Sequence, residues 1–243
     1  PTKKLKATTT LRKNLSNTNP PIQQAIDNGL VPILVSFLSE NDKPQLQSEA
    51  AWALTNITSG TTEQVAVVVQ ANAVPAFIQL LSSPNDDVRE QVIWALGNIA
   101  GDSPKFRDMT LKAGALQPLL AQLLLTNNKL SLLRVGTWVV NNLCRGEPEP
   151  EFALVHPALT TLGILIFQLD DEILTDACLA LSCLSDGSNE KIAVIIESGV
   201  VMRVVELLMH PSTAVQTPAL KTIGNLVSGD DLQTQIVINC SAL

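Results

Sequence analysis

Apolar and polar residues alternate along the chain with the period of an α-helix. In one stretch, apolar residues recur three or four positions apart, which is the spacing of a single helix face, at Val88, Val92, Leu96 and Ile99. Breaks rich in glycine, proline, serine and asparagine separate such stretches. Near the start of the chain the pattern predicts helices at about residues 21–28, 31–40 and 44–59. The fold class predicted from this pattern is all-α.

Residues that begin and end helices recur at matching places. Thr61 with Gln64 has the pattern of a capping box, and Ser103 followed by Pro104 predicts an N-cap and a first helical residue. Prolines 43 residues apart fit the opening turns of second helices, at Pro32, Pro75 and Pro118. Glycines are predicted to close the third helices, at Gly60, Gly101, Gly146, Gly187 and Gly229.

A repeat of about 42 residues follows from a tryptophan and an asparagine placed four positions apart. All three tryptophans share this frame, in the pairs Trp52 and Asn56, Trp94 and Asn98, and Trp138 and Asn142. Later segments put Leu179 and Cys183, then Lys221 and Asn225, in the same phase. Three helices per repeat predict one armadillo-type, right-handed superhelical solenoid over 1–243. Its predicted segments are 1–18 (the end of a partial repeat), 19–60, 61–102, 103–146, 147–187, 188–229 and 230–243 (the start of another).

Composition narrows the class of protein. Hydrophobic residues make up 46% of the chain and aromatic residues only 3%, which favours helix-on-helix packing. Sixteen basic and 23 acidic residues give a net charge of −7, which argues against a nucleic-acid surface. No signal sequence and no apolar run of membrane-spanning length is evident. The four cysteines show no CxxC pair, so buried thiols in the cytosol or nucleus are predicted.

The tryptophan and asparagine pairs predict a surface that binds an extended peptide. A large apolar residue at one phase of a repeat is usually core, but Ala51, Ala53 and Leu54 already supply the buried stripe beside Trp52. A buried amide without partners costs roughly 1–3 kcal/mol, so exposed asparagines are expected. Their amides can hold a peptide backbone through both donor and acceptor. Neighbouring indoles can accept lysine or arginine side chains at roughly 0.5–2 kcal/mol each.

Acidic residues define the charge of this surface. They gather just past the predicted third helices, at Asp102, Glu147, Glu149, Glu151, Asp186, Asp230 and Asp231. The negative ends of the helix dipoles add to their field. An acidic groove lined by tryptophan is expected to bind a basic, extended peptide.

The stretches AAWALTNITSG, WALGNIAGDS, NNLCRG, DACLALSCLSDG and GNLVSGDDLQTQIVINCSAL resemble the armadillo repeats of the importin-α family, which binds nuclear localisation signals. The resemblance implies a major cargo site at the three Trp and Asn pairs. It also implies that Asp102 pairs with the most important cargo lysine, with Gln91 and the backbone near Gly60 assisting. Asp176 is implied to form a structural ion pair with Arg145, and Asp186 an acidic wall.

The chain departs from this family at several positions. Leu179 replaces the usual tryptophan of the fourth full repeat, and Cys183 a more polar or aromatic residue. Val65 and Val135 stand where the family often has threonine and asparagine. Lys221 and Asn225 are implied to be the surviving edge of the family's second cargo site. Importin-β and an export factor are implied as partners, with shuttling between cytoplasm and nucleus, and PTKKLK is too short to be the arm that recruits importin-β.

Two rival functions are weaker. For an enzyme, the only histidines, His156 and His210, adjoin prolines at turns without a nucleophile in frame, and no cofactor motif is present. A catenin-like armadillo scaffold would share the fold, since fold does not fix function. Such grooves are basic, whereas this one is predicted to be acidic. A membrane or nucleic-acid partner is not expected.

Overall fold

The computed structural model describes residues 3–240, and the secondary structure of these residues is entirely helical. The helices are α1 (Lys3–Leu15), α2 (Ile22–Asp27), α3 (Leu30–Phe37), α4 (Pro44–Thr58), α5 (Thr62–Gln70), α6 (Ala73–Leu80), α7 (Asp86–Asp102), α8 (Pro104–Lys112), α9 (Leu116–Leu123), α10 (Leu130–Cys144), α11 (Phe152–Val155), α12 (Ala158–Leu165), α13 (Asp171–Leu184), α14 (Asn189–Glu197), α15 (Val201–Leu207), α16 (Thr213–Leu226) and α17 (Asp231–Asn239). The predicted all-α class is confirmed.

Several predicted helix starts are confirmed. Thr61 and Gln64 form a capping box at the start of α5. Ser103 caps α8 by accepting from the Phe106 N–H, and Pro104 is the first residue of that helix. The three recurrent prolines lie in the first turns of α3, α6 and α9, where a missing N–H breaks no intrahelical bond.

Two boundary predictions are wrong. Helix α7 does not end at Gly101 but continues through Asp102, because Ser103 has extended backbone and becomes the cap of α8. The second helix of the first full repeat ends at Phe37 rather than near residue 40.

The left-handed turns missed from the sequence recur between first and second helices, at Gly29, Asn72, Gly114 and Gly199. Asn72 has a φ of 61°, and asparagine is one of the few non-glycine residues that adopt this conformation readily. The spacing of these four positions matched the repeat and was a usable sequence signal.

Residues up to Leu125 form one compact unit. Its long third helices α1, α4 and α7 pack side by side, with the shorter helices beside them. The apolar face predicted for α7 is buried, since Val88, Val92 and Ile99 have no exposed surface and Leu96 is 1% exposed. Polar side chains fix where α7 begins, because Asn85 accepts from the N–H groups of Asp87 and Val88.

Residues from Thr126 onward form a second compact unit. Helices α10, α13 and α16 are its packed third helices. Asp170 caps α13 by accepting from the Ile173 N–H. Arg134 Nη2 from α10 donates to Oδ2 of the same carboxylate at 2.6 Å. The cysteine prediction is partly wrong, because Cys144 and Cys178 are buried but Cys183 and Cys240 are only half-buried.

The predicted continuity of one solenoid over 1–243, and its repeat boundaries, stay predictions. Residues 1–2 of the predicted partial repeat and 241–243 of the last predicted segment lie outside the described residues.

Candidate functional site

The tryptophans of the repeat frame are exposed to different degrees. Trp52 on α4 is 38% exposed and Trp94 on α7 is 48% exposed. Trp138 on α10 is half-buried. An indole with this much open surface contributes little to a core, so Trp52 and Trp94 are available for contacts with a ligand. The prediction of partly exposed tryptophans is confirmed.

The asparagines of the same frame tie neighbouring third helices together. Asn98 Nδ2 donates to Thr55 O at 3.1 Å and to Thr58 Oγ1 at 3.3 Å on α4. In the second unit, Asn225 repeats this geometry towards α13, donating to Ser182 O at 3.0 Å and Ser185 Oγ at 3.1 Å.

Asn56 donates in the same direction, to Ser16 Oγ at 2.9 Å. Sequence reasoning assigned both the donor and the acceptor of each amide to a peptide. The structure instead directs both amide donors of Asn98 and of Asn225, and one of the two amide donors of Asn56, to carbonyl and hydroxyl oxygens of the fold. The Oδ1 atoms of these three remain as acceptors for a ligand. The expected exposure is wrong for Asn142, which is buried at 1% exposure because it lies on the packed face of α10.

Asp102 holds a carboxylate oxygen that lacks a hydrogen-bond donor. It is the last residue of α7, and its Oδ1 accepts from Thr62 Oγ1 at 3.1 Å. Its Oδ2 is buried and has no hydrogen-bond partner within residues 3–240. A buried acceptor without a donor costs about 1–3 kcal/mol, and more when it is charged. A ligand ammonium or guanidinium would relieve that cost.

Gln91 adds a second such oxygen on the same helix. Its Oε1 is buried and, over the described part of the chain, lacks a hydrogen-bond partner. The spacing of Gln91, Trp94, Asn98 and Asp102 is three or four residues, so these side chains follow one face of α7. The structure therefore brings four of the predicted site residues onto one helix.

Gly60 has a structural reason that sequence reasoning missed. A Cβ added to Gly60 would lie 2.0 Å from Gln64 Oε1, and one added to Gly229 would lie 2.1 Å from Gln233 Oε1. Each glutamine folds back to accept from the N–H of the helix cap that follows the glycine. A side chain at Gly60 would displace the Gln64 side chain from its hydrogen bond in the capping box, and the predicted contact of Gly60 with cargo stays a prediction.

The remaining predicted residues lie in the second unit. Asp176 accepts from Asn141 Nδ2 at 2.9 Å. Burial raises the pKa of Asp176, while that hydrogen bond and the charge of Arg145 oppose the rise. Asp186 and Lys221 are exposed, and both line a cavity of about 160 Å³ that Cys183 and Glu147 also line. The Asp176–Arg145 ion pair and the acidic wall at Asp186 stay predictions.

Two of the departures from the family pattern have structural descriptions. Leu179 is 37% exposed at the phase where Trp94 is exposed, so an apolar surface remains without an aromatic face. Val65 is 1% exposed and therefore lies in the core rather than facing a ligand.

No metal centre is evident among the described residues of the chain. Among residues 3–240, no group of three or more His, Cys, Asp or Glu side chains is placed to hold a metal ion. None of the helices described is both long and apolar enough to span a bilayer.

Comparison with known proteins decides the family. Residues 18–59, 61–101 and 188–228 match the model of the armadillo/beta-catenin-like repeat. The chain belongs to the armadillo-repeat family. The predicted armadillo class is thereby confirmed, and each matched segment covers one three-helix repeat.

Among curated proteins, this armadillo-repeat chain is similar to importin-α subunits. It is 59% identical over 240 residues to importin subunit alpha-1b of Oryza sativa, and 57% identical over 240 residues to importin subunit alpha-3 of Arabidopsis thaliana. These matches cover 98% of the chain and 45% of each relative. Importin subunit alpha-B of Dictyostelium discoideum is 56% identical over 230 residues, covering 93% of the chain and 44% of that protein. The chain thus spans less than half the length of these relatives.

Solved structures agree with the armadillo fold. An engineered protein superposes with a TM-score of 0.89 at 27% identity, covering 98% of this chain and 57% of that one. A designed armadillo repeat protein in complex with the peptide (KR)4 superposes with a TM-score of 0.81 at 26% identity, covering 90% of this chain and 91% of that one.

A cavity in the first unit adds residues that sequence reasoning missed. Its volume is about 860 Å³, and residues of α1, α4 and α7 line it, including Trp52 and Gln91. Glu49, Asp87 and Glu90 bring carboxylates to its wall. Glu49 and Glu90 precede Trp52 and Trp94 by three and four residues, so helical spacing from the tryptophans is a signal that could have identified them.

Proposed function

We propose that this armadillo-repeat chain binds lysine- and arginine-rich nuclear localisation signals as extended peptides along its third helices. The proposed major site consists of Trp52, Asn56, Gly60, Gln91, Trp94, Asn98, Asp102, Trp138 and Asn142. Its centre is the face of α7. Asp176, Asp186, Lys221 and Asn225 are the proposed groove edge and residual second site.

The buried, unpartnered Oδ2 of Asp102 is the observation that carries this proposal. A lysine ammonium offers three donors, and a charge-assisted hydrogen bond to a carboxylate is about twice as strong as a neutral one. Trp94 lies two helical turns before Asp102 on the same face, about 12 Å away along the axis. An extended peptide covers that distance in about four residues, so one peptide can reach both side chains.

The exposed indoles supply the second part of the recognition. A cation over an indole face is stabilised by roughly 0.5–1 kcal/mol at an exposed site, and the stem of a lysine or arginine packs on the same apolar surface. The Oδ1 atoms of Asn56 and Asn98 are acceptors that the hydrogen bonds to α4 and Ser16 leave unused, so peptide N–H groups are their proposed partners. Recognition of the cation head and of the peptide backbone is therefore divided between different side chains.

Similarity to other proteins supports the same function. The importin-α subunits of rice and Arabidopsis share more than half of their aligned residues with this chain. The designed armadillo protein was solved with a peptide of alternating lysine and arginine. From these relatives we infer a non-catalytic import adaptor that shuttles between cytoplasm and nucleus, with importin-β and an export factor as partners of the full-length protein.

Fluorescence anisotropy with labelled peptides tests the proposal. The wild-type chain should bind Lys-Lys-Lys-Arg-Lys and should not bind a Glu-rich peptide of the same length. Asp102→Lys should cost roughly 2–5 kcal/mol of binding free energy, because it removes one partner of a desolvated charge pair and adds repulsion. Asp231→Lys, the matched reversal at an exposed carboxylate outside α7, should change the affinity little.

Two results would contradict the proposed function. Equal affinities of the wild type and Asp102→Lys would remove Asp102 from the site. Preference for the Glu-rich peptide would favour a catenin-like scaffold instead. Binding of the basic peptide should also weaken as salt rises, since unpaired surface charges are screened over about 8 Å at physiological ionic strength.

A further inference from the structure

One face of Trp52 is already covered by a cation from the protein itself. The Arg12 guanidinium lies over the indole, with Cζ 4.2 Å from the ring centroid. The same guanidinium donates two hydrogen bonds to the Glu49 carboxylate, from Nε to Oε2 at 2.8 Å and from Nη2 to Oε1 at 3.0 Å. The Arg12 and Glu49 side chains are 15% and 20% exposed. The three side chains form a compact cluster between α1 and α4.

This cluster reproduces the contacts that a bound basic residue would make. An aromatic face and a carboxylate in bidentate geometry are what a ligand guanidinium requires. Arg12 supplies the cation from the same chain, and an intramolecular partner acts at a high effective concentration. A ligand side chain therefore has to displace Arg12 before it can use that face of Trp52 or the Glu49 carboxylate.

Trp94 provides the contrast within the same unit. It is more exposed than Trp52, and within residues 3–240 no lysine or arginine lies over its ring. Trp52 and Trp94 thus differ in whether a cation of the chain lies over the ring, although the residue type and the phase in the repeat are the same.

The space next to the cluster is large and acidic. Trp52 and Glu49 line the cavity of about 860 Å³, together with Asp87 and Glu90. Lys6 is the one basic residue among its lining residues. A further basic side chain of a peptide would be drawn into this space by the carboxylates, but the aromatic face there is occupied.

We infer that Arg12 is a resident cation that ends the basic-peptide site at Trp52 and so limits the length of basic sequence that the chain recognises. The inference rests on the proposed function and makes Arg12 a specificity-determining residue. A lysine or arginine of the peptide that reaches α1 gains no aromatic contact while Arg12 is present. Removal of Arg12 opens that face of Trp52, frees Glu49 and lengthens the site by one basic residue.

The test compares peptides that differ only at the position facing α1. Neighbouring third helices are on the order of 10 Å apart, a distance that about three residues of extended peptide cover. The core Lys-Lys-Lys-Arg-Lys is therefore extended by Gly-Ser-Arg at its C-terminus, or by Arg-Ser-Gly at its N-terminus. A twin of each extended peptide carries alanine instead of that outer arginine. Fluorescence anisotropy gives the affinity ratio of each arginine peptide to its alanine twin.

The proteins are the wild type, Arg12→Ala and Lys13→Ala. Lys13 is exposed on the same helix and makes the matched control, because its removal changes the net charge by the same amount. Arg12→Ala should bind the arginine peptide about two- to fivefold tighter than its alanine counterpart. This preference is expected for either the C-terminal or the N-terminal extension, but not for both. That preference should exceed the ratios of the wild type and Lys13→Ala. Arg12→Gln should show the same preference. It replaces Arg12→Ala in the comparison if Arg12→Ala does not fold.

The outcomes separate the two proposals. Failure of the wild type to bind the core peptide overturns the proposed function and the inference with it. Core binding with equal ratios in all the proteins overturns the inference alone. A large loss of core affinity in Arg12→Ala and Arg12→Gln also overturns it, because Arg12 would then support Trp52 rather than compete with the ligand.

Discussion

Helices α7 and α13 occupy the same place in their repeats, and they differ in the side chains at the positions proposed to contact a ligand. Helix α7 presents Trp94 and Asn98, whereas α13 has Leu179 and Cys183 at these positions. Leu179 is nearly as exposed as Trp52, so α13 keeps an open apolar surface. It lacks an aromatic face that attracts a cation and an amide that accepts from a peptide.

The comparison distinguishes two roles of the tryptophan and asparagine positions of the repeat: the proposed contact with a ligand, and hydrogen bonding between neighbouring third helices. Asn98 ties α7 to α4, and Asn225 ties α16 to α13 with nearly the same distances. Cys183 has only a weak donor in its thiol and cannot replace the two amide bonds. The fold tolerates this loss because the apolar faces of α10, α13 and α16 still pack together. We therefore expect substitutions at this position to change ligand binding more than they change the stability of the fold.

The largest expected difference between the two helices is in peptide binding. Trp94→Ala should weaken binding of Lys-Lys-Lys-Arg-Lys by about 1–2 kcal/mol, because it removes an aromatic face and the apolar surface for a lysine stem. Leu179→Ala removes only a smaller apolar contact and should change the affinity less than about twofold. Isothermal titration calorimetry measures both. Equal losses would show that the two helices contribute alike.

The asparagine ties should be visible in stability. Asn98→Ala and Asn225→Ala should each lower the free energy of unfolding by about 1–3 kcal/mol, because each removes two hydrogen bonds with a net value of about 0.5–1.5 kcal/mol apiece. Cys183→Ala breaks no such tie and should cost less. Urea unfolding followed by circular dichroism measures all three. If Cys183→Ala is the most destabilising, the asparagine bonds are not what distinguishes these positions.

Restoring an aromatic face on α13 should produce a smaller gain. Leu179→Trp should strengthen binding of peptides with basic residues upstream of their core cluster by about 0.5–1 kcal/mol. Leu179→Met, which enlarges the apolar surface without an aromatic ring, is the control. No gain for any such peptide would mean that this position is outside the site.

Two carboxylates of α13 should give small and opposite pH effects. Burial raises the pKa of Asp176, so the folded state binds the proton more tightly than the unfolded chain does. Its contribution to stability should therefore fall as pH rises from about 3.9, the ordinary aspartate value, through the raised pKa. Asp176→Asn should remove this fall, measured as urea midpoints from about pH 2 to about pH 7, a range that extends to both sides of the ordinary aspartate value.

Asp170 is the counterpart of opposite sign. The hydrogen bond from Arg134 lowers the pKa of Asp170, so its stabilising contribution is present above the ordinary pKa and is lost as pH falls through the lowered one. Asp170→Asn should therefore reduce the loss of stability on acidification. Identical pH profiles for the wild type and both variants would contradict these assignments.

Much of the fold was predictable because it depends on local rules. Helical periodicity, the capping box at Thr61 and the cap at Ser103 act within a few residues and were read correctly. The end of α7 was not predictable in this way. A glycine such as Gly101 commonly follows the end of a helix, but here Ser103 sets the boundary because it caps the next helix.

The helix face occupied by the proposed site residues was predictable from residue type and repeat phase, and their hydrogen-bond partners were not. The frame identified Trp94 and Asn98, but contacts between residues about 40 positions apart decide what each atom is free to do, as for Asn98 with Thr58. The same applies to Arg12, whose contact with Trp52 joins different helices. A periodic pattern shows which face a residue occupies and leaves open which neighbour has already used it.

The central claim is that, in a basic peptide bound along the third helices, the Asp102 carboxylate on α7 is the contact on which affinity depends most. Asp102→Asn and Asp186→Asn each remove one carboxylate from the end of a third helix, and both affinities for Lys-Lys-Lys-Arg-Lys can be measured by anisotropy at fixed salt. We predict that Asp102→Asn weakens binding by about 10- to 100-fold, as for loss of a charged hydrogen bond. Asp186→Asn should weaken it less than about twofold, since Asp186 is exposed. Equal effects of the two substitutions, or a larger effect at Asp186, would contradict the account.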